Sequence, residues 1–148
     1  MIAVDIANLY SRDLDKLIKE IEEYNSEESI WQHNSGINNS SGNLCLHLIG
    51  SINHFIGATL GKTGYIRERD AEFSIKGVER RDLINKIFST KIMVVDVISN
   101  LTLEDLNKEF LFDFAGKNST EYYLLFFAMH LNYHLGQINY HRRILDNN

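Results

Sequence analysis

The chain has 148 residues, enough for one domain that buries a core without disulfides. At 44% hydrophobic and 24% charged its composition is globular, and a formal net charge of −5 argues against nonspecific nucleic-acid binding. No apolar run approaches the ~20 residues of a membrane span, Asp5 interrupts the place where a signal peptide needs an apolar segment, and a single cysteine, Cys45, suits a reducing cytoplasm.

With no proline anywhere, long helices can run unbroken. Ile2, Ile6, Leu9, Leu14, Leu17, Ile18 and Ile21 form a helical stripe, with Asp13, Lys16, Glu20 and Glu23 as its wet face and Asn25–Ser26 as its end. Residues 26–43 are rich in Asn, Ser and Gly and read as a long loop, anchored by Trp31 and Ile37; such loops often border functional sites. Ser40, Ser41 and Asn43 offer caps for a second helix, about Asn43 to Leu60, stopping near Gly61. Residues 61–77 read as an irregular crossover. A third helix follows from about Glu79 to Asn100, and Thr102-Leu-Glu-Asp has the form of a capping box. Residues 110–116 (FLFDFAG) suggest a short extended piece. Ser119 or Thr120 caps a last helix that reaches about Leu145. The pairs Arg80–Arg81 and Arg142–Arg143 are too small to track a phosphate backbone. Four long helices and no confident sheet predict an all-α four-helix bundle, one domain over residues 1–148, with a long crossover between the second and third helices.

The last helix carries His130 and His134, one turn apart on one face, so both imidazoles can reach one ion. Leu131 stands where a zinc-protease helix needs a glutamate, and the paired Glu-x-x-His repeats of a di-iron site are absent. A third ligand must come from elsewhere. His47, in the apolar run Leu44–Gly50, has two readings: a metal ligand, or a buried imidazole bonded to a backbone carbonyl, Trp31 or Tyr133. Cys45 lies about 200° around the helix from His47 and reads as a small buried hydrophobe. His54 and His141 fall seven residues beyond candidate ligands, close enough to line a pocket and too far to join the ion. His33 reads as solvated, and Gln137 shares the face of His134.

The block Asn43-Leu-Cys-Leu-His-Leu-Ile-Gly-Ser-Ile-Asn-His-Phe-Ile-Gly, the piece Arg67-Glu-Arg-Asp-Ala-Glu-Phe-Ser and the block His130-Leu-Asn-Tyr-His-Leu-Gly-Gln-Ile resemble the DinB/YfiT-like superfamily. That resemblance implies up-down-down-up topology and one divalent metal held by His47, His130 and His134. Zinc or nickel is expected, with iron or manganese as alternatives, since imidazole does not select sharply among them. It also implies a homodimer. Relatives include bacillithiol S-transferases and a mycothiol-dependent isomerase, so a metal-dependent thiol transferase acting on small electrophiles is the expected activity. The alternatives are a non-catalytic metal-containing stress or binding protein and a metal-dependent hydrolase. Trp31, His54, Tyr133 and Gln137 would shape the pocket or support the ligands. No basic cluster for an acidic thiol is evident, although Arg67, Arg69 or Arg142 could fold over the site.

Overall fold

The computed structural model describes residues 1–146. Four long helices dominate it: α1 (Ile2–Glu22), α2 (Ser41–Ile52), α4 (Arg80–Ser99) and α6 (Thr120–Leu145), with the short helices α3 (Arg69–Ser74) and α5 (Leu103–Asn107) between them. The long helices pack in a ring, α1 against α4 and α6, and α2 against the same two. No strand forms among the described residues. The core between them is built from one face of each helix, including Leu14, Leu17, Leu48, Leu83, Val94, Leu124 and Leu131. Burying such side chains stabilises by about 1.5–3 kcal/mol each, which is what closes the ring.

The helix ends follow local chemistry. Ser40 caps α2, Ser119 caps α6, and Thr102 with Asp105 forms a reciprocal capping box on α5. Several expectations change. Asp13 is buried rather than on the wet face of α1, because Arg12 Nε at 2.8 Å and Asn132 Nδ2 at 3.0 Å satisfy its carboxylate. Ile2 and Leu9, placed in the apolar stripe, are exposed. The second helix does not run as an α-helix to Leu60. It widens at Ile52 into a π-helical turn, Asn53–Ala58, where Asn53 Nδ2 reaches both Ile49 O and Thr90 Oγ1 on α4. Gly61 marks a close approach to α4: a Cβ there would come within 2.5 Å of Val97.

The crossover is not wholly irregular, since it contains α3, docked on α2. The anchor is the fully buried Asn43, whose Nδ2 donates to Glu72 O at 2.9 Å and Ile75 O at 2.8 Å. Residues 110–116 form no strand. A lone bridge, Glu109 to Ser119, closes the loop and leaves Phe110, Phe112 and Phe114 in one aromatic cluster. One arginine of each pair ties helix ends together: Arg80 donates to Glu22 O and Tyr24 O, and Arg142 pairs with Glu20 and Glu23.

Candidate metal centre

Two elements supply the three imidazoles. His47 sits mid-way along α2, and His130 and His134 stand one turn apart on α6. Because α2 packs on α6, the rings meet edge to face, with centroids 4.5–5.3 Å apart. His130 Nε2 lies 3.2 Å from His47 Nε2 and 3.1 Å from His134 Nε2. The ligand atoms of all three fall within 4.8 Å of one another.

The far side of the rings decides what these nitrogens can do. His47 Nδ1 is 3.1 Å from Glu72 Oε1, and His134 Nδ1 is 2.6 Å from Gln137 Oε1. Each oxygen accepts, so each Nδ1 carries the proton and each Nε2 turns a lone pair toward its neighbours. A single proton on His130 Nε2 could satisfy one of the two facing lone pairs and would leave the other without a donor. An ion resolves this. Two nitrogens each about 2.0–2.1 Å from one metal stand roughly 2.9–3.4 Å apart at octahedral to tetrahedral angles, which matches the two short separations. The donor set therefore fits a first-row divalent ion.

Burial favours the neutral form of His130 and His47, which ligation requires. It pushes His130 down to about 4, and any charge on the neighbouring imidazoles, with the Arg67 guanidinium, acts in the same direction. Burial also lowers His47, against the upward pull of Glu72. Glu72 is in turn clamped by Arg67, with Nε 2.8 Å from Oε2 and Nη2 2.9 Å from Oε1, and both side chains are largely buried. Arg67 Nη2 also comes within 3.4 Å of His47 Nδ1. This is a carboxylate behind a ligand imidazole, the arrangement that fixes tautomer and ring orientation at metal sites. Room for it comes from Gly50: a Cβ there would stand 1.9 Å from Glu72 Oε2.

Cavities flank the cluster on two sides. One, of about 490 Å³, runs beside His134 and is lined by Asn38, Asn39, Tyr133, Gln137, Tyr140 and His141 among others. The second, of about 350 Å³, reaches His47 and His130 and is aromatic and cationic. Tyr133 and Gln137 thus border the site. Trp31 lies elsewhere, flat against Gly42, where a Cβ would meet its ring at 2.5 Å, so it anchors the 26–43 loop to α2. His54 packs edge-on to Phe55 and tilted against Phe112, and is not one of the three clustered histidines. His141 borders the first cavity but is buried in its own network, with Nδ1 2.7 Å from Tyr24 Oη and Nε2 donating to Gln32 O at 2.6 Å. Arg67 and Arg69 do reach the site, whereas Arg142 is held by Glu20 and Glu23 on α1. Cys45 is fully buried and its thiol is pushed far up by burial.

Sequence reading did not single out Glu72 or Gly50. Glu72 lies 25 residues from His47 on a helix that no apolar periodicity announces. The one available signal was an acidic residue inside the Arg67–Ser74 block.

A family model described as the DinB superfamily matches residues 9–138, a span that contains both histidine blocks and α3. None of the curated proteins compared with the chain matches it.

Proposed function

The chain belongs to the DinB superfamily, and from that membership we propose that it is a metal-dependent transferase joining a small thiol to an electrophile. The observation that carries the reading is the convergence of three Nε2 atoms, two of them on rings whose other nitrogen is already bonded to an acceptor. Three protein ligands leave a tetrahedral or octahedral ion with open positions, whereas closed structural sites use four. A bound zinc or nickel ion would supply Lewis acidity, lowering the pKa of a coordinated thiol so that it reacts as thiolate near neutral pH.

The chain's own residues have defined parts. His47, His130 and His134 would hold the ion, while Glu72 and Gln137 orient His47 and His134. Arg67 keeps Glu72 in place. Tyr133, Gln137 and Tyr140 offer hydrogen-bonding groups to a polar thiol beside His134. In the transfer itself a sulfur–carbon bond forms as the carbon's bond to its leaving group breaks, and the thiol proton passes to water. With their lone pairs committed to the ion they would hold, the three imidazoles would take no proton in this step. The same reading includes an up-down-down-up course for the four long helices, cytoplasmic residence and a homodimer. The connection of residues 59–79 between α2 and α4 is long enough for the crossover that this course needs, and no helix among the described residues is long and apolar enough to cross a membrane.

The test is metal content together with turnover. Purified protein should carry about one divalent ion per chain, and His130→Ala/His134→Ala should lose it. Metal-loaded protein should accelerate conjugation of a low-molecular-weight thiol to monochlorobimane, and chelation should abolish the rate. An absence of metal removes the centre; metal without turnover on a panel of thiols removes the transferase.

A further inference from the structure

The second cavity carries a chemical signature of its own. It opens between α2, α3, the loop before α6 and α6 itself, and is lined by Phe55, Phe114, Phe126 and Phe127 together with His47 and His130. Phe55 and Phe127 stack with centroids 4.8 Å apart at 13°. Phe114 and Phe126 stand edge to face beside them, and both are exposed. Exposed rings of this kind offer flat apolar faces to a flat ligand.

Two cations share the cavity with the rings, Arg67 and Arg69. Their states differ. Arg67 is neutralised by its two-point contact with Glu72 and lies over Phe55. Arg69 is exposed, rests over the Phe73 ring at 5.4 Å, and makes no ion pair among the described residues. On a chain of net charge −5, an unpaired guanidinium beside four phenylalanines is a localised anion site next to an apolar wall. A volume of about 350 Å³ suits a molecule of one or two rings, not an extended acyl chain or a folded partner.

We infer that this cavity takes an aromatic carboxylate, whose ring lies among Phe55, Phe114, Phe126 and Phe127 and whose acid group pairs with Arg69. Only a member of that class that also carries a leaving group on a carbon beside its ring can be the electrophile, its bond to that group breaking as the S–C bond forms, and that assignment rests on the transferase reading; the binding of the aromatic acid does not. The division of labour follows from the two cavities. The one beside His134 sets amide and phenol groups on a floor that includes Ile37, Leu44 and Ile144, a mixed lining for a polar thiol, and the aromatic one, reaching His47 and His130, is left to the partner that the thiol attacks.

Isothermal titration with naphthoate and its neutral analogue naphthamide tests the inference on metal-loaded protein. Naphthoate should bind roughly threefold to tenfold more tightly, the range for a charge-assisted contact at a partly exposed site. Arg69→Gln should remove that difference and leave naphthamide binding unchanged. Phe126→Ala and Phe114→Ala, both at exposed positions that tolerate truncation, should weaken both ligands, and Tyr140→Ala in the other cavity should weaken neither. The preference for the acid should persist after the metal is stripped by chelation. Equal binding of the two probes overturns the proposal. So does an acid preference that survives Arg69→Gln, or one that vanishes with the metal, since the carboxylate would then be ligating the ion. Failure of the transferase reading looks different: naphthoate binds as expected, yet monochlorobimane conjugation is absent.

Discussion

Glu72 stands behind the three-histidine cluster, bonded to the far nitrogen of His47. Its carboxylate is buried, a costly placement that Arg67 and His47 make tolerable by satisfying both oxygens. Glu72→Gln should lower metal affinity by about 10- to 100-fold in a chelator-competition titration, with metal stoichiometry at saturation unchanged. Gly50→Ala should reproduce that phenotype from outside the network, because the new methyl occupies the space of Glu72 Oε2; an overpacking cost of about 1–3 kcal/mol should accompany it. Normal affinity in both variants would show that the carboxylate does not support His47. His130 gives the pH dependence. Its ordinary value is 6.5 and burial first of all pushes it down to about 4 in the fold. Above pH 6.5 folded and unfolded chains are both neutral there, and the contribution to stability is complete. As pH falls from 6.5 toward 4 the unfolded chain takes the proton while the fold resists it, so the metal-free protein loses stability. Thermal unfolding of metal-free protein across that window should show a shallower decline for His130→Gln than for wild type; parallel declines would rule His130 out as the source.

At the scale of elements, the legible parts were those with strong periodicity or a polar cap. The starts of α2, α4, α5 and α6 fall within two residues of where Ser40, Glu79, Thr102 and Ser119 place them. The illegible parts depend on contacts distant in sequence. Six residues, Arg69–Ser74, are too few to nucleate a helix alone, and α3 exists because Asn43 binds its carbonyls across 29 and 32 positions. The π-helical turn after Ile52 likewise depends on Thr90 of α4, which no local pattern reveals. Asn43→Ala would leave Glu72 O and Ile75 O without their donor, at a cost of about 1–3 kcal/mol. Limited proteolysis should then cut within residues 61–77 faster than in wild type, with metal affinity reduced through Glu72. The histidine pair on α6 was legible from spacing alone. Its union with His47 was not, because that requires knowing that α2 packs on α6; the family resemblance supplied it.

For the whole molecule, a centre that joins α2 to α6 couples ligation to folding. An ion bound only by the native state stabilises by about 2.7 kcal/mol when free metal exceeds its Kd a hundredfold. At this chain length that corresponds to a Tm increase of roughly 5–10 °C, which chelation should reverse and which His130→Ala/His134→Ala should not show. The sequence made an all-helical class with four long helices legible, since four apolar stripes and no strand pattern leave few alternatives. It did not make the two cavities legible, because Phe55, Arg69, Phe114 and Phe126 are spread over four segments and meet only after packing. The burial of Cys45 has a practical consequence for such a protein. The native state holds its own sulfur out of reach, with the thiol strongly disfavoured from ionising, so under the proposed transferase reading it does not compete with a thiol cosubstrate for the electrophile. Alkylation of that one position therefore becomes a clock for opening of the entire fold: in native buffer it should advance only as fast as the domain unfolds, and more slowly once metal is bound.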